Sequence, residues 1–160
     1  MASAIIGEGI MIIASVIVAG ALAGVILNQV GVFESTIVET TDAQQDKMLT
    51  KVKIVYASNS SSTRLDVWIK NTGKSPITSA TNMDVFFGPI GQVTSYAYHA
   101  SGTFSDGTWD FSGNSPPTAW QVLNTTKIRI DESSLAKDVT YDLRVSTPNG
   151  IFDEYIFSLP

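Results

Sequence analysis

The stretch Gly9–Leu27, GIMIIASVIVAGALAGVIL, carries no charge, and Ser15 is its one polar side chain. Wound as a helix it makes a rod of about 28 Å, close to the hydrocarbon thickness of a bilayer. A surface helix of a small domain needs a polar face, and this run has none. It therefore spans a membrane or packs against copies of itself. The first basic residue is Lys47, so the run lacks the charged lead of a cleavable secretory signal, although Ala19-Gly20-Ala21 could pass for a weak cleavage site. The expectation is a helix that stays with the protein.

Small residues interrupt the aliphatic ones at Ala14, Gly20, Ala21 and Gly24. Gly20 and Gly24 have the four-residue spacing that lets two helix backbones approach closely. Glu8 places one carboxylate near the start of the apolar run. An ionised carboxylate in hydrocarbon is costly unless paired. Glu8 thus either sits at headgroup level or pairs with a neighbouring subunit's N-terminal amine and sets the helix register. These five residues are the candidate packing and assembly positions.

Beyond Gly31 the chain turns polar, yet Val30, Phe33, Ile37 and Val38 keep helical spacing. One continuous helix is predicted from about residue 3 to about residue 45, its polar end forming a stalk. Ser35, Thr36, Thr40 and Thr41 are modest helix formers and leave a flexible linker as the alternative. The division is a helical region over residues 1–50 and a β-domain over residues 51–160.

After Lys51 the hydrophobic period changes from 3.6 to 2. In Val52–Tyr56 the residues Val52, Ile54 and Tyr56 point inward; in Arg64–Lys70, Leu65, Val67 and Ile69 do. Further strands are expected at Met83–Phe87, Val93–His99, Thr103–Phe111, Ala119–Leu123, Thr126–Ile130, Val139–Ser146 and Ile151–Leu159. Gly88-Pro89, Asp106-Gly107, Ser115-Pro116-Pro117 and Pro148-Asn149-Gly150 separate them as turns. The last two strands should pair as a hairpin with Tyr141, Leu143 and Val145 inward, and Asp131–Ala136 should form a helical turn or loop. The fold class is α+β: a long hydrophobic helix, then an all-β immunoglobulin-like antiparallel sandwich of seven to nine strands.

No catalytic constellation is visible. The chain has no cysteine and one histidine, His99, which reads as an exposed strand residue. Asp106, Asp110, Asp131, Glu132, Asp153 and Glu154 lack the spacing of a calcium loop, so no metal site and no cofactor are expected. The net charge of -5, without a basic cluster, argues against nucleic acid. Asn59-Ser60-Ser61 and Asn124-Thr125-Thr126 fit the N-glycosylation acceptor pattern. Tyr96–Trp120, rich in aromatic and small polar residues, reads as a decorated loop or as a surface for adaptable contacts.

An apolar helix with one Glu near its start, a polar helical extension and then a sandwich resembles the archaeal type IV pilin-like superfamily. Within it the chain is most similar to the archaellum components of the flagellar protein G family, with the archaellins as close relatives. The residues that carry this are Met1-Ala2-Ser3 and Ile10–Gly20, Val67–Gly73 (VWIKNTG), and Asn149–Phe157 (NGIFDEYIF). The resemblance implies a non-catalytic structural subunit of the archaeal flagellum, in the filament or in an envelope-anchored stator, with its β-domain outside the cell membrane. Implied partners are copies of itself, other archaellum subunits, flagellar protein F, the S-layer that this partner contacts, and the membrane. No basic processing site precedes the hydrophobic run, which implies either a mature form or an unprocessed one. The Tyr96–Trp120 stretch is longer than a minimal sandwich of this family needs, which keeps the filament role open. A monomeric, membrane-anchored lectin- or receptor-like binding module is the alternative.

Overall fold

The computed structural model describes residues 2–100, 103–112 and 116–159. The turn expected at Ser115-Pro116-Pro117 begins outside the described residues. The chain forms two compact units, Met1–Ala43 and Gln44–Pro160.

One helix, α1, runs unbroken over Ala2–Leu49, through Leu27–Phe33 and one turn past the expected end. The flexible-linker alternative fails for a local reason. Ser35 and Thr36 hydroxyls donate to the Val32 carbonyl at 2.9 and 2.8 Å, and Thr40 donates to Thr36 at 2.7 Å. Side chains that could compete with the helix instead fold back onto it. No proline occurs before Pro76 to break the ladder. The helix is long and apolar enough to cross a membrane, and its aliphatic side chains stand in the open; Met11 is 75% exposed and Leu27 73%.

The β-domain contains β1 (Val52–Ser61), β2 (Arg64–Asn71), β3 (Ile77–Thr78), β4 (Asp84–Pro89), β5 (Thr94–Tyr98), β6 (Thr108–Asp110), β7 (Ala119–Trp120), β8 (Thr125–Asp131), β9 (Thr140–Ser146) and β10 (Phe152–Ser158). Eight of them are hydrogen-bonded in the order β1-β2-β8-β6-β5-β4-β9-β10, and β3 pairs with β7. The halves expected as two sheets are joined through β5 and β6, a parallel pair in an otherwise antiparallel arrangement. The edge strands meet: the Asp153 carboxylate of β10 accepts from the Ile54 N–H at 2.8 Å and from Lys53 at 3.1 Å. Leu65, Val67, Ile69 and Ile128 from one half face Val85, Phe87, Leu143 and Val145 from the other, each at most 1% exposed. The β9–β10 hairpin forms as expected, and residues 132–136 are a loop that buries Leu135.

Three strand readings change. Tyr56 does not point inward but is 53% exposed, because a bulge between Ile54 and Tyr56 shifts the alternation and Ala57 takes the inner position. Thr103–Phe111 narrows to β6. Ala119–Leu123 narrows to β7, because Leu123 takes a left-handed conformation (φ 66°) and turns the chain. Tyr96–Trp120 is only in part the exposed loop that its composition suggests: residues 99–100, 103–107 and 116–118 lie outside the strands and are mostly exposed. Its β5 and β6 bridge the two halves, and Tyr96, Trp109, Phe111 and Trp120 are core, each at most 5% exposed.

Leu65→Ala should lower the unfolding free energy by about 2–5 kcal/mol, the range for a buried leucine that leaves a cavity. Tyr56→Ala removes one exposed ring beside Trp68, 5.5 Å away, and should cost at most about 1 kcal/mol. Denaturant unfolding of both variants checks the bulge: equal losses would mean that Tyr56 belongs to the core.

Candidate functional site: a glycine face and a gripped helix end

Successive residues of an α-helix turn by about 100°, which places Gly20 and Gly24 within about 40° of each other. Gly9 and Gly31 fall within about 20° of Gly20 and lengthen that face in both directions. Ala14 and Ala21 lie about 100–120° around the helix, on a separate stripe, and Glu8 lies about 120° the other way. All seven positions are exposed. A Cβ built on Gly9, Gly20, Gly24 or Gly31 would meet nothing within 4 Å. The helix therefore brings together four glycines, of which the sequence pattern picked out only the central pair.

The other end of α1 is held by residues far away in sequence. Helix C-termini leave carbonyls without partners. Here the Thr50 N–H and hydroxyl both donate to the Asp46 carbonyl, at 3.0 and 2.7 Å. The Lys74 N–H donates to the Leu49 carbonyl at 2.7 Å, and the Thr72 N–H to Lys51 at 2.8 Å. Asn149, in the β9–β10 turn, donates from Nδ2 to the Thr50 hydroxyl at 2.7 Å, while its Oδ1 accepts from Thr147 at 2.6 Å.

The turn after β2 makes this possible. Asn71 is fully buried; its Nδ2 donates to the Ser75 and Trp120 carbonyls at 3.0 and 3.1 Å, and its Oδ1 accepts from the Gly73 N–H at 2.9 Å. Gly73 then passes so close to the helix end that a Cβ on it would lie 2.5 Å from the Leu49 carbonyl oxygen and 2.6 Å from the Lys51 nitrogen. Asn-x-Gly after a strand reads as a turn in sequence; nothing in it tells that the turn grips a helix.

The acidic residues weighed as a cation site are mostly spent on ion pairs. Arg129 reaches Asp110 at 2.5 Å and Asp131 at 3.6 Å, Arg64 reaches Asp131 at 3.2 Å, and Arg144 reaches Glu154 at 3.1 Å. Among the described residues no three metal-binding side chains converge. Glu132 accepts from the Tyr96 hydroxyl. Burial, and then the Glu132 carboxylate, push the Tyr96 phenol far above its ordinary range. His99 lies exposed just past β5, and Asp106 is exposed in the following loop. Of the two acceptor asparagines, Asn124 is exposed in the turn before β8, whereas Asn59 is half-buried within β1.

The archaeal-type flagellin family model matches residues 2–157. Among solved structures the chain is similar to the archaellum periplasmic stator protein FlaG from Sulfolobus acidocaldarius, with 31% identity, a TM-score of 0.59, and 68% of this chain and 100% of that chain covered. The archaellum periplasmic stator protein complex FlaF and FlaG from the same organism gives 32% identity and a TM-score of 0.59 over 69% of this chain and 90% of that chain. The archaeal flagellin FlaB1 from Methanocaldococcus jannaschii shares the fold, with a TM-score of 0.53 at 10% identity over 69% of this chain and 90% of that chain. No match was found among curated proteins.

Gly73→Ala should destabilise the β-domain by about 1–3 kcal/mol, because backbone must move to admit the methyl group. Thermal unfolding measures it, and an unchanged melting temperature would mean that the turn does not press on the helix end. A second test uses pH. The raised Tyr96 pKa means that the folded state keeps a proton which the unfolded state releases above its ordinary value, near pH 10. Stability from this group is complete below pH 10 and falls as pH climbs above it. Tyr96→Phe should flatten that alkaline slope in denaturant titrations.

Proposed function

The chain belongs to the archaeal-type flagellin family, and we propose that within the archaellum it works as an envelope-anchored, stator-like structural subunit. The observation that carries this reading is the 31% identity to the FlaG stator protein over the whole of that chain, against 10% for the flagellin. The role is structural, not catalytic. The helical region, residues 1–50, is the anchor and assembly element; residues 51–160 form the domain presented outside the membrane. The partner is then a subunit of the FlaF kind, as in the FlaF–FlaG complex, with the S-layer beyond it.

Apolar surface of this extent leaves water, into lipid or against other helices. We assign the contact between copies to the face of Gly20 and Gly24, because only small residues let backbones come close. Ala14 and Ala21 form a second small-residue stripe for a further neighbour, and Glu8 pairs with a neighbouring N-terminal amine. Of the acceptor sites, Asn124 is the better glycan carrier, since its side chain is exposed on a turn, whereas Asn59 is half-buried.

Immunogold labelling of sheared filaments and of the remaining envelopes tests the placement. Label confined to the envelope fits the stator; label along the filament would assign a filament role instead. The assembly face is tested by Gly24→Leu. It adds four carbons at a close contact, and overpacking costs about 1–3 kcal/mol at each interface. We expect lost assembly and motility with an unchanged melting temperature of the β-domain. Cells of this variant that swim normally would rule out the glycine face.

A further inference from the structure

A cleft of about 300 Å³ opens between β4, β5, β9 and the loop that follows β8. Phe87, Tyr96 and Tyr141 form its floor, and Thr94, Glu132 and Ser134 stand among its polar walls. The three rings pack together: Phe87 stacks on Tyr141 with ring centroids 5.1 Å apart and meets Tyr96 edge-on at 5.9 Å. The volume is at the small end for a ligand pocket, suited to a side chain more than to a cofactor.

Glu132 is the one acidic side chain among the residues that line this cleft. Asp66, Asp110, Asp131, Asp153 and Glu154 each form an ion pair with a lysine or arginine. Glu132, half-buried, has neutral donors only: the Tyr96 hydroxyl on Oε2 and the Ser133 hydroxyl on Oε1 at 3.2 Å. Among the described residues no lysine or arginine lies within ion-pair distance of it. A half-buried carboxylate held by neutral donors has a charge still to be balanced. One carboxylate supplies too few oxygens for a calcium ion. Each of its oxygens already accepts one hydrogen bond, which favours a compact ammonium over the planar two-point fork of arginine.

We propose that this cleft receives a lysine side chain from a neighbouring polypeptide. The alkyl stem lies against the apolar and aromatic floor, and the ammonium reaches Glu132 beside Tyr96. The site would dock a partner subunit through one charged anchor, and it holds for a stator or a filament role alike.

Titration of the full ¹⁵N-labelled chain in detergent micelles with Nα-acetyl-lysine methylamide tests it. Saturable shifts are expected at the Thr94, Glu132 and Ser134 amides. Nα-acetyl-norleucine methylamide, which keeps the stem without the charge, should bind at least fivefold more weakly, and Glu132→Gln should weaken the lysine probe at least tenfold. Equal shifts from the norleucine probe, full binding by Glu132→Gln, or no shift at these amides would overturn the proposal. Stronger shifts with methyl glucoside would also overturn it and reassign the cleft to glycan. If Glu132→Gln does not fold, the lysine-to-norleucine ratio on the native chain decides alone.

Discussion

Water excludes the surface of α1, and much of this protein follows from that exclusion. From Ile10 to Val38 the helix shows its large aliphatic side chains more than half exposed. Most of a globular protein gains stability by burying such groups within its own chain. Here the first compact unit, Met1–Ala43, has no sheet or second helix of its own to bury them against. The covering must then come from outside the unit, from lipid or from other helices. The four glycines on one side of the helix suit the second covering, and the absence of charge from Gly9 to Leu27 permits the first.

The β-domain solves the opposite problem with local means. Without cysteine it has no disulfide to close it, so it depends on packing and on buried pairs. Side chains from both halves interlock at the centre. The edges are managed by one carboxylate, Asp153, which bonds a backbone N–H and a lysine of β1 where a further strand would otherwise be needed. The parallel β5–β6 pair joins the halves into a single hydrogen-bonded order. Asn71 and Gly73 then turn the end of β2 into a bracket for the last turn of the helix. At this junction helix carbonyls, a buried amide and a residue without a side chain meet in close contact.

Legibility in the sequence varied with the range of the physics. The apolar run, the change from helical to alternating period, the inward faces of β2 and β9 and the final hairpin depend on neighbours in sequence, and they were readable. The Tyr96–Trp120 segment was misread in part, at β5, β6, Phe111 and Trp120, because its composition, aromatic with Ser, Gly and Thr, fits an exposed loop as well as a core strand. Trp109 and Trp120 are buried only because strands from other parts of the chain close over them. Tyr56 was misplaced by a single bulged residue, which leaves no trace in an alternating pattern. Gly9 and Gly31 escaped notice because they lie eleven residues on either side of Gly20, beyond the spacing of a pairwise motif.

The sequence by itself determined that this chain carries a helix unable to face water, followed by a cysteine-free domain of alternating strands. Those conclusions rest on composition and period, which act residue by residue along the chain. The tertiary structure alone decided that Asn71, Gly73 and Asn149 converge on the end of α1: the antiparallel β1–β2 pairing brings Asn71 opposite Val52, and the return of β9–β10 brings Asn149 to Thr50. It also decided that Glu132 stands beside the Tyr96 hydroxyl in a cleft, with no lysine or arginine of the described residues at ion-pair distance. Charge balance is set by which strands become neighbours, and strand order is a property of the folded sheet.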